Sequence, residues 1–381
     1  MKKEVTRTNI LKKPGVQSLI SSLICIILGL FIAFIVLLII NPSGAFTSIM
    51  NVIKNFLWFK NPSSRLKYFG ETLVKTVPLL MCALAVLFSY KVGLFNIGTP
   101  GQYCAGTCAA LYAALKWQWG WVPCVLFAII AGALLASIVG VLKAYLNVNE
   151  VISGIMLNWI TLYFTNATLT AVKNPSSKDT LTIATVNKAA LLPKLGLDKV
   201  FNDKYVTIAI PIAIIIAVVI MIILDKTKFG YELKATGINK DAAKYCGMME
   251  KTNIIITLVI SGALAGLGAA FYYLTDFEQW AVTQSTVPAM GFNGIAATFL
   301  GGLNPIGTIF ASYFIQHITA GGAFVDLTKY SSQITDLISA LIIYLCGFVL
   351  FMKTFMNNLI KKSDAKHHVK EFNINDEGGK K

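Results

Sequence analysis

Five side-chain amides lie within or beside strongly apolar stretches of the sequence: Asn96, Gln102, Asn158, Asn293 and Asn304. An amide both donates and accepts hydrogen bonds. In an apolar stretch long enough to cross a bilayer, it either joins one helix to another or hydrogen-bonds a polar solute. We therefore predict these residues as the polar lining of a path through a membrane. Amides that only satisfy buried backbone groups would give the same pattern.

Glycine and proline interrupt two of the apolar stretches. The run LFNIGTPGQ opens one of them, and the run from Gly301 to Pro305 breaks another. Irregular backbone at membrane depth is tolerated only where it packs in protein or lines a watery path. Paired short, interrupted segments of this kind indicate a path near the middle of the membrane. For the first run, a helix that simply starts at Thr99 or Pro100 is the alternative.

The apolar stretches lack the residues that carry out catalysis or drive ion-coupled transport. The sequence has no G-x-x-x-x-G-K-[ST] motif for nucleotide phosphates, and no Ser/His/Asp group, paired carboxylates or metal-ligand cluster within these stretches. Ionisable residues stay near their ends, as at Glu71, Lys75, Glu150 and Asp336. Because a charge at mid-span costs roughly 2.5–3.5 kcal/mol, ion-coupled carriers place one there for a purpose. We expect no catalytic residue, metal or cofactor in this chain, and an energy source outside it.

The composition is typical of a protein with many membrane spans. Of the 381 residues, 56% are hydrophobic and 13% are charged, and the mean hydropathy is +0.67. The net charge of +15 comes almost entirely from lysines dispersed over many loops, which argues against a nucleic-acid-binding face. We predict an all-α polytopic membrane protein with about ten transmembrane helices, some short and broken, and with both termini in the cytoplasm.

The chain is predicted to consist of one membrane domain with polar ends. Residues 1–17 form a cytoplasmic N-terminus, 18–356 the transmembrane domain and 357–381 a cytoplasmic tail. Residues 41–70 and 173–204 are predicted as extracytoplasmic loops. The predicted spans are 18–40, 72–90, 94–115, 121–142, 151–172, 205–224, 252–275, the short pair 291–303 and 306–319, and 333–352.

One long charged run, from Asp225 to Lys251, lies between two apolar blocks. Its pattern predicts a short amphipathic helix, a break at 237–239, and a second helix, Lys240–Tyr245, that stops at Gly247. Glycine permits both the turn and the stop. A polar helix pair between spans is suited to docking a soluble partner, and an ordinary solvated loop is the alternative.

Several motifs, taken in order, resemble those of one transporter family. The chain contains, in this order, VGLFNIGTPGQYCAG, VISGIMLNWI, GYELKATGINKDAAKYCGM, SGALAGLGAAFYYL and GFNGIAATFLGGLNPIG. This order is similar to that in the simple-sugar and nucleoside permeases of ATP-binding-cassette importers, which are related to branched-chain amino-acid permeases. The resemblance extends from about Thr72 to Met352, and the long first span looks like that of the larger nucleoside-permease subunit.

The resemblance implies one half of an importer in a bacterial cell membrane. It implies a heterodimer with a second related permease, separate ATPase subunits that hydrolyse ATP, and an extracytoplasmic lipoprotein that delivers a nucleoside. Residues 225–251 would be the coupling loop, in which Gly237, Ala242, Ala243 and Gly247 would contact the ATPase.

Two other transport functions and one non-transport function are left open by the sequence. A simple-sugar permease of ribose or galactose type would differ only in what passes through it. An ion-coupled secondary carrier would work without an ATPase partner. A non-transporting scaffold would leave the broken spans without a purpose.

Overall fold

The computed structural model describes residues 14–326 and 328–358. Within those ranges the regular secondary structure is helical, apart from two isolated β-bridges. The α-helices are α1 (Pro14–Ile40), α2 (Pro42–Lys54), α3 (Pro62–Lys91), α4 (Thr99–Leu115), α5 (Trp121–Leu146), α6 (Glu150–Leu169), α7 (Ile183–Val186), α8 (Leu197–Phe201), α9 (Ala209–Lys226), α10 (Lys228–Ile238), α11 (Lys240–Tyr245), α12 (Glu250–Tyr273), α13 (Ala289–Leu300), α14 (Pro305–Gly321), α15 (Ser332–Cys346) and α16 (Val349–Asn358).

Asn-Pro pairs start the helices α2, α3 and α14. The side-chain oxygens of Asn41, Asn61 and Asn304 each accept a hydrogen bond from a backbone N–H in the first turn, at 3.2, 2.9 and 2.9 Å. The proline that follows has no N–H to leave unsatisfied, so the pair is well suited to begin a helix. Asn304 therefore caps α14.

Five helices in the described ranges are long and apolar enough to cross a membrane: α1, α3, α5, α9 and α12. The α15–α16 pair, bent by 42°, would make a sixth span. The predicted all-helical class is confirmed, and the larger number of about ten spans stays a prediction. Residues 41–70, predicted as a loop, contain α2 and the first turns of α3.

The centre of the bundle is built on close approach between α5 and α12. A Cβ atom added to Gly132 would lie 2.3 Å from the carbonyl oxygen of Gly262, and one added to Gly266 would lie 2.3 Å from that of Ala128. Glycine at these points lets the two backbones touch, which is the usual basis of helix packing in membranes. Gly106 of α4 also packs closely on Gly266, since a Cβ added to Gly106 would lie 2.5 Å from the Gly266 Cα.

A long connection, residues 170–208, covers one end of this bundle. Asn187 Nδ2 donates to the carbonyl oxygens of Ala114 (2.9 Å) and Trp119 (2.8 Å) at the end of α4. The carboxylate of Asp276 accepts hydrogen bonds from the first backbone amides of α7, at 3.0 and 3.2 Å. We refer to this side as the loop end of the bundle.

Candidate functional site

The non-helical turn Val92–Gly98, between α3 and α4, contains the predicted amide Asn96, which bonds to a second predicted amide, Gln102, in the first turn of α4. Asn96 Nδ2 donates to Gln102 Oε1 (2.8 Å) and to Ser261 Oγ (2.7 Å), and Gln102 Nε2 donates back to Asn96 Oδ1 (3.1 Å). Ser261 Oγ in turn donates to the carbonyl oxygen of Ala85. This buried network joins the start of α4 to α12 and α3.

Asn158 supplies the cap that α4 lacks. The N-cap residue of α4, Gly98, has no side chain to accept a hydrogen bond from the first free amides. Instead, Asn158 Oδ1 accepts from Gly101 N (2.8 Å), and Asn158 Nδ2 donates to the carbonyl oxygen of Ile97 (3.0 Å). Gly154 makes this possible, since a Cβ there would lie 2.8 Å from Gly98 N. One amide on α6 thus fixes the start of another helix.

The structure therefore separates the five predicted amides into two groups. Asn96, Gln102 and Asn158 are 2%, 1% and 2% exposed and have their hydrogen bonds within the protein, which fits the alternative that such amides satisfy buried groups. Asn293 on α13 is half-buried and Asn304 is exposed. Which of them line a path stays a prediction.

The charged stretch forms two helices with a break, as predicted, but the break is Asn239 alone, because α10 continues through Gly237 and Ile238. The Oδ1 of Asn239 accepts from the backbone amides of Asp241 (3.1 Å) and Ala242 (3.0 Å), which starts α11. Gly247, at a φ of 81°, lies in the left-handed region that ends the helix. We call α10 and α11 together the charged helix pair.

Exposed apolar side chains, which the sequence analysis did not single out, cluster on the charged helix pair. Ile238 is 87% exposed and Tyr245 is 93% exposed, and Met249 beyond the pair is also exposed. At such exposure these side chains are available to a partner protein. The occurrence of these apolar residues among lysines is a sequence signal from which their exposure could have been predicted.

Of the four residues predicted to contact an ATPase, three are on the outside of the pair. Gly237, Ala242 and Gly247 are exposed. Ala243 is only 3% exposed and packs inward. A partner protein can reach the first three without any change in the pair.

The charged helix pair is tightly seated on the bundle. A Cβ on Gly237 would lie 2.2 Å from the carbonyl oxygen of Val92, so the end of α10 touches the backbone of the α3–α4 turn. Asn253 Nδ2 of α12 donates to Thr236 Oγ1 at 2.9 Å. The charged helix pair, which a partner can reach, is thus in direct contact with the turn that contains Asn96.

No cluster suited to a metal ion is found in the parts of the chain that the structure describes. Within 14–326 and 328–358, no three His, Cys, Asp or Glu residues come close enough together. Cys104 and Cys108 are free and buried.

Known proteins similar to this chain are transporter permeases. The chain matches the family described as the permease component of branched-chain amino acid transport systems over residues 68–347. It is 31% identical over 351 residues to the guanosine ABC transporter permease protein NupP of Bacillus subtilis, covering 90% of this chain and 97% of that one. It is 32% identical over 312 residues to the nucleoside ABC transporter permease protein NupB of Lactococcus lactis, covering 78% and 84%.

A second Bacillus subtilis permease also matches. It is the guanosine ABC transporter permease protein NupQ, 31% identical over 277 residues, covering 68% of this chain and 83% of that one. No solved structure matches the chain.

Proposed function

The chain belongs to the branched-chain amino acid transport permease family, and on that premise we propose that it is the membrane-spanning subunit of an ATP-driven importer of nucleosides. The observation that carries the proposal is the similarity to NupP, which is named for guanosine and matches over 90% of this chain. A match of that extent includes the charged helix pair, the buried amides and the broken segment before α14 in one alignment.

Energy for transport would come from ATPase subunits that dock on the charged helix pair. The chain itself has no phosphate-binding P-loop motif. Ile238 and Tyr245 give the pair exposed apolar side chains near Ala242, and a docked partner would bury them. Closure of the ATPase dimer would pull on this surface, and the contact of Gly237 with Val92 would carry the movement into the bundle.

Two further partners complete the proposed importer. A second, related permease would form the other half, as suggested by the presence of both NupP and NupQ in Bacillus subtilis. An extracytoplasmic lipoprotein would deliver the nucleoside to the loop end of the bundle.

The proposed setting is a bacterial cell membrane that the chain crosses about ten times. The helices α4, α6, α13 and α14 would add their passes to the five apolar helices and to the bent pair α15–α16. An even number of spans keeps both termini, and the charged helix pair, on the cytoplasmic side.

The test is uptake of radiolabelled guanosine, adenosine, uridine and ribose into vesicles that contain this chain with its genomic-neighbour permease, ATPase and binding protein. Nucleoside uptake that depends on internal ATP is expected. Uptake of ribose alone would support the simple-sugar alternative. Uptake that ignores ATP would support an ion-coupled carrier and refute the proposed role of the charged helix pair.

Substitution of Ala242 tests the docking surface without disturbing the fold. Ala242 is exposed, so Ala242→Asp places a charge in the contact without burying it. We expect the variant to insert normally and to lose ATP-dependent uptake, while the matched Ala242→Ser variant retains it. Normal uptake by Ala242→Asp would exclude this surface as the ATPase contact.

A further inference from the structure

A non-helical segment, residues 281–288, forms part of the connection between α12 and α13. At one end, Trp280 Nε1 donates to Asn166 Oδ1 (2.8 Å), and Asn166 Nδ2 donates to the carbonyl oxygen of Gln284 (2.8 Å). At the other end, Gly291 packs on Pro100, where a Cβ would lie 2.6 Å away. We call residues 281–288 the descending segment.

The descending segment begins at the loop end and runs to the first turn of α4. At its start, Val282 N donates to the carbonyl oxygen of Lys178 (2.9 Å) in the connection 170–208. Next to Asn166, Thr165 Oγ1 donates to the carbonyl oxygen of Cys104 in the second turn of α4 (3.3 Å). Beyond Cys104, α4 continues for about three more turns before Asn187 covers its end. Irregular backbone at such depth is stable only where it packs in protein or faces water.

The exposed side chains of this segment are hydroxyls. Thr283, Ser285 and Thr286 are exposed, whereas Val282 and Val287 pack against the core. A row of hydroxyls that faced lipid would leave polar groups unpaired. Ser285 and Thr286 lie between the level of Asn166 and that of Pro100, so their exposure indicates contact with water or with a polar solute.

One face of α6 runs along the same space. Trp159 and Tyr163 are 42% and 59% exposed, and their rings are stacked at 6.4 Å with planes 28° apart. They lie seven and three residues before Asn166, so they share its side of the helix, below the point where Asn166 holds Gln284. The floor between this face and α13 is Pro100–Gly101, which contacts Gly291 on one side and Asn158 on the other.

A neighbouring face of α6 is purely apolar and serves as a comparison. It carries the exposed residues Ile160 and Phe164. Ile152 and Met156, exposed nearer the start of α6, lie on the same side as Trp159 and Tyr163. The face with Ile160 and Phe164 suits lipid chains. The aromatic and polar face next to it differs in chemistry although both are similarly exposed.

We propose that Trp159, Tyr163, Thr283, Ser285 and Thr286 form the solute-facing wall of the translocation path, which we call the aromatic-hydroxyl groove, and that it is built for a nucleoside. The stacked rings offer a flat apolar surface for the base, and the hydroxyls offer donors and acceptors for the ribose. Base stacking on aromatic side chains tolerates different bases, so the groove accepts both purine and pyrimidine nucleosides. This inference rests on the proposed function.

The first test compares ring removal on the two faces of α6 in the assembled importer. Trp159→Ala is expected to raise the guanosine concentration for half-maximal uptake by about tenfold, and Trp159→Phe to restore most of the affinity. Phe164→Ala, on the apolar face, is the matched control and should leave it unchanged. Equal effects of Trp159→Ala and Phe164→Ala would overturn the groove.

The second test asks whether water reaches the descending segment. In a Cys246→Ser background, which removes the exposed thiol among the described residues, Ser285→Cys should react with a negatively charged methanethiosulfonate, and guanosine should slow the reaction. Phe164→Cys should not react. An unreactive Ser285→Cys in an importer that transports guanosine would overturn the groove and leave the proposed function intact. Lack of ATP-dependent nucleoside uptake by the unaltered importer would refute the proposed function instead.

Discussion

Replacement of Gly237 by alanine perturbs the contact between the charged helix pair and the α3–α4 turn. The added Cβ would lie 2.2 Å from the Val92 carbonyl oxygen and 2.9 Å from Gly93 N. Both neighbours are backbone atoms, so neither can rotate away as a side chain would. To restore an ordinary 3.4 Å contact with the oxygen, the end of α10 has to move by about 1.2 Å.

The energetic cost follows from two opposing effects. Overpacking of this kind costs about 1–3 kcal/mol, and alanine is favoured over glycine in a helix by about 0.5–1 kcal/mol. The net penalty is about 0–2.5 kcal/mol, and a value of about 1 kcal/mol within that range shifts the balance between the seated and displaced positions of α10 by about fivefold. Because only one contact is affected, the bundle itself should remain folded.

The assay measures ATP-dependent guanosine uptake together with ATP hydrolysis in the same vesicles. We expect Gly237→Ala to lower uptake several-fold while hydrolysis continues, and to speed hydrogen exchange in the last turn of α10. Lys234→Ala, in the same helix, breaks only a surface ion pair with Asp225 (3.2 Å) and should change little. Unchanged uptake and exchange in Gly237→Ala would refute the argument that this contact transmits movement.

Two other substitutions test the capping amide and the buried carboxylate at the loop end. Asn158→Ala leaves Gly101 N and the Ile97 carbonyl without partners and should lower stability by about 1–3 kcal/mol, measured as a lower thermal midpoint in detergent; an unchanged midpoint would contradict the capping role. Burial raises the pKa of Asp203 above its ordinary value, so its ionised form opposes folding: the stabilisation is present at acidic pH and is lost as pH rises through the raised pKa. Asp203→Asn should therefore flatten the rise in thermal midpoint that the unaltered protein shows between pH 7 and pH 4, and parallel pH curves would contradict this account.

Local features of the fold could be predicted from the sequence. The break before α11 and the stop at Gly247 follow from residue types whose backbone preferences act over a few positions, although Asn239 alone, and not Gly237 or Ile238, forms the break. The glycines of α5 and α12, such as Gly132 and Gly262, indicate close helix packing through their spacing alone. The Asn-Pro pair at Asn304 is likewise a local helix-start signal that was available and was not used.

The partners of the buried amides could not be predicted, because they are distant in the sequence. Asn96 bonds to Ser261, and Asn158 bonds to Gly101. An amide that satisfies buried backbone and one that faces a solute have identical sequence signals. The descending segment was missed for a similar reason: its polar residues fell between two predicted spans, and only its contacts with Asn166 and Pro100 place it inside the bundle.

The start of α4 is where the proposed energy input and the proposed solute path meet. At one end of the turn before it, Gly93 touches the backbone of α10. At the other end, the first turn of α4 is held by Asn158 of α6 and by Gly291 of α13, which flank the floor of the aromatic-hydroxyl groove. Each of these contacts involves the backbone on both sides, or the backbone and the hydrogen-bonded amide of Asn158. A displacement of α10 by about an ångström therefore cannot be absorbed by a side-chain rotation. A helix start that is capped by Asn158 of a neighbouring helix can shift with that helix, whereas a helix interior fixed by its own hydrogen bonds cannot change shape as easily. In the proposed mechanism, the buried amides between the charged helix pair and the groove would take part in transport without contacting the solute.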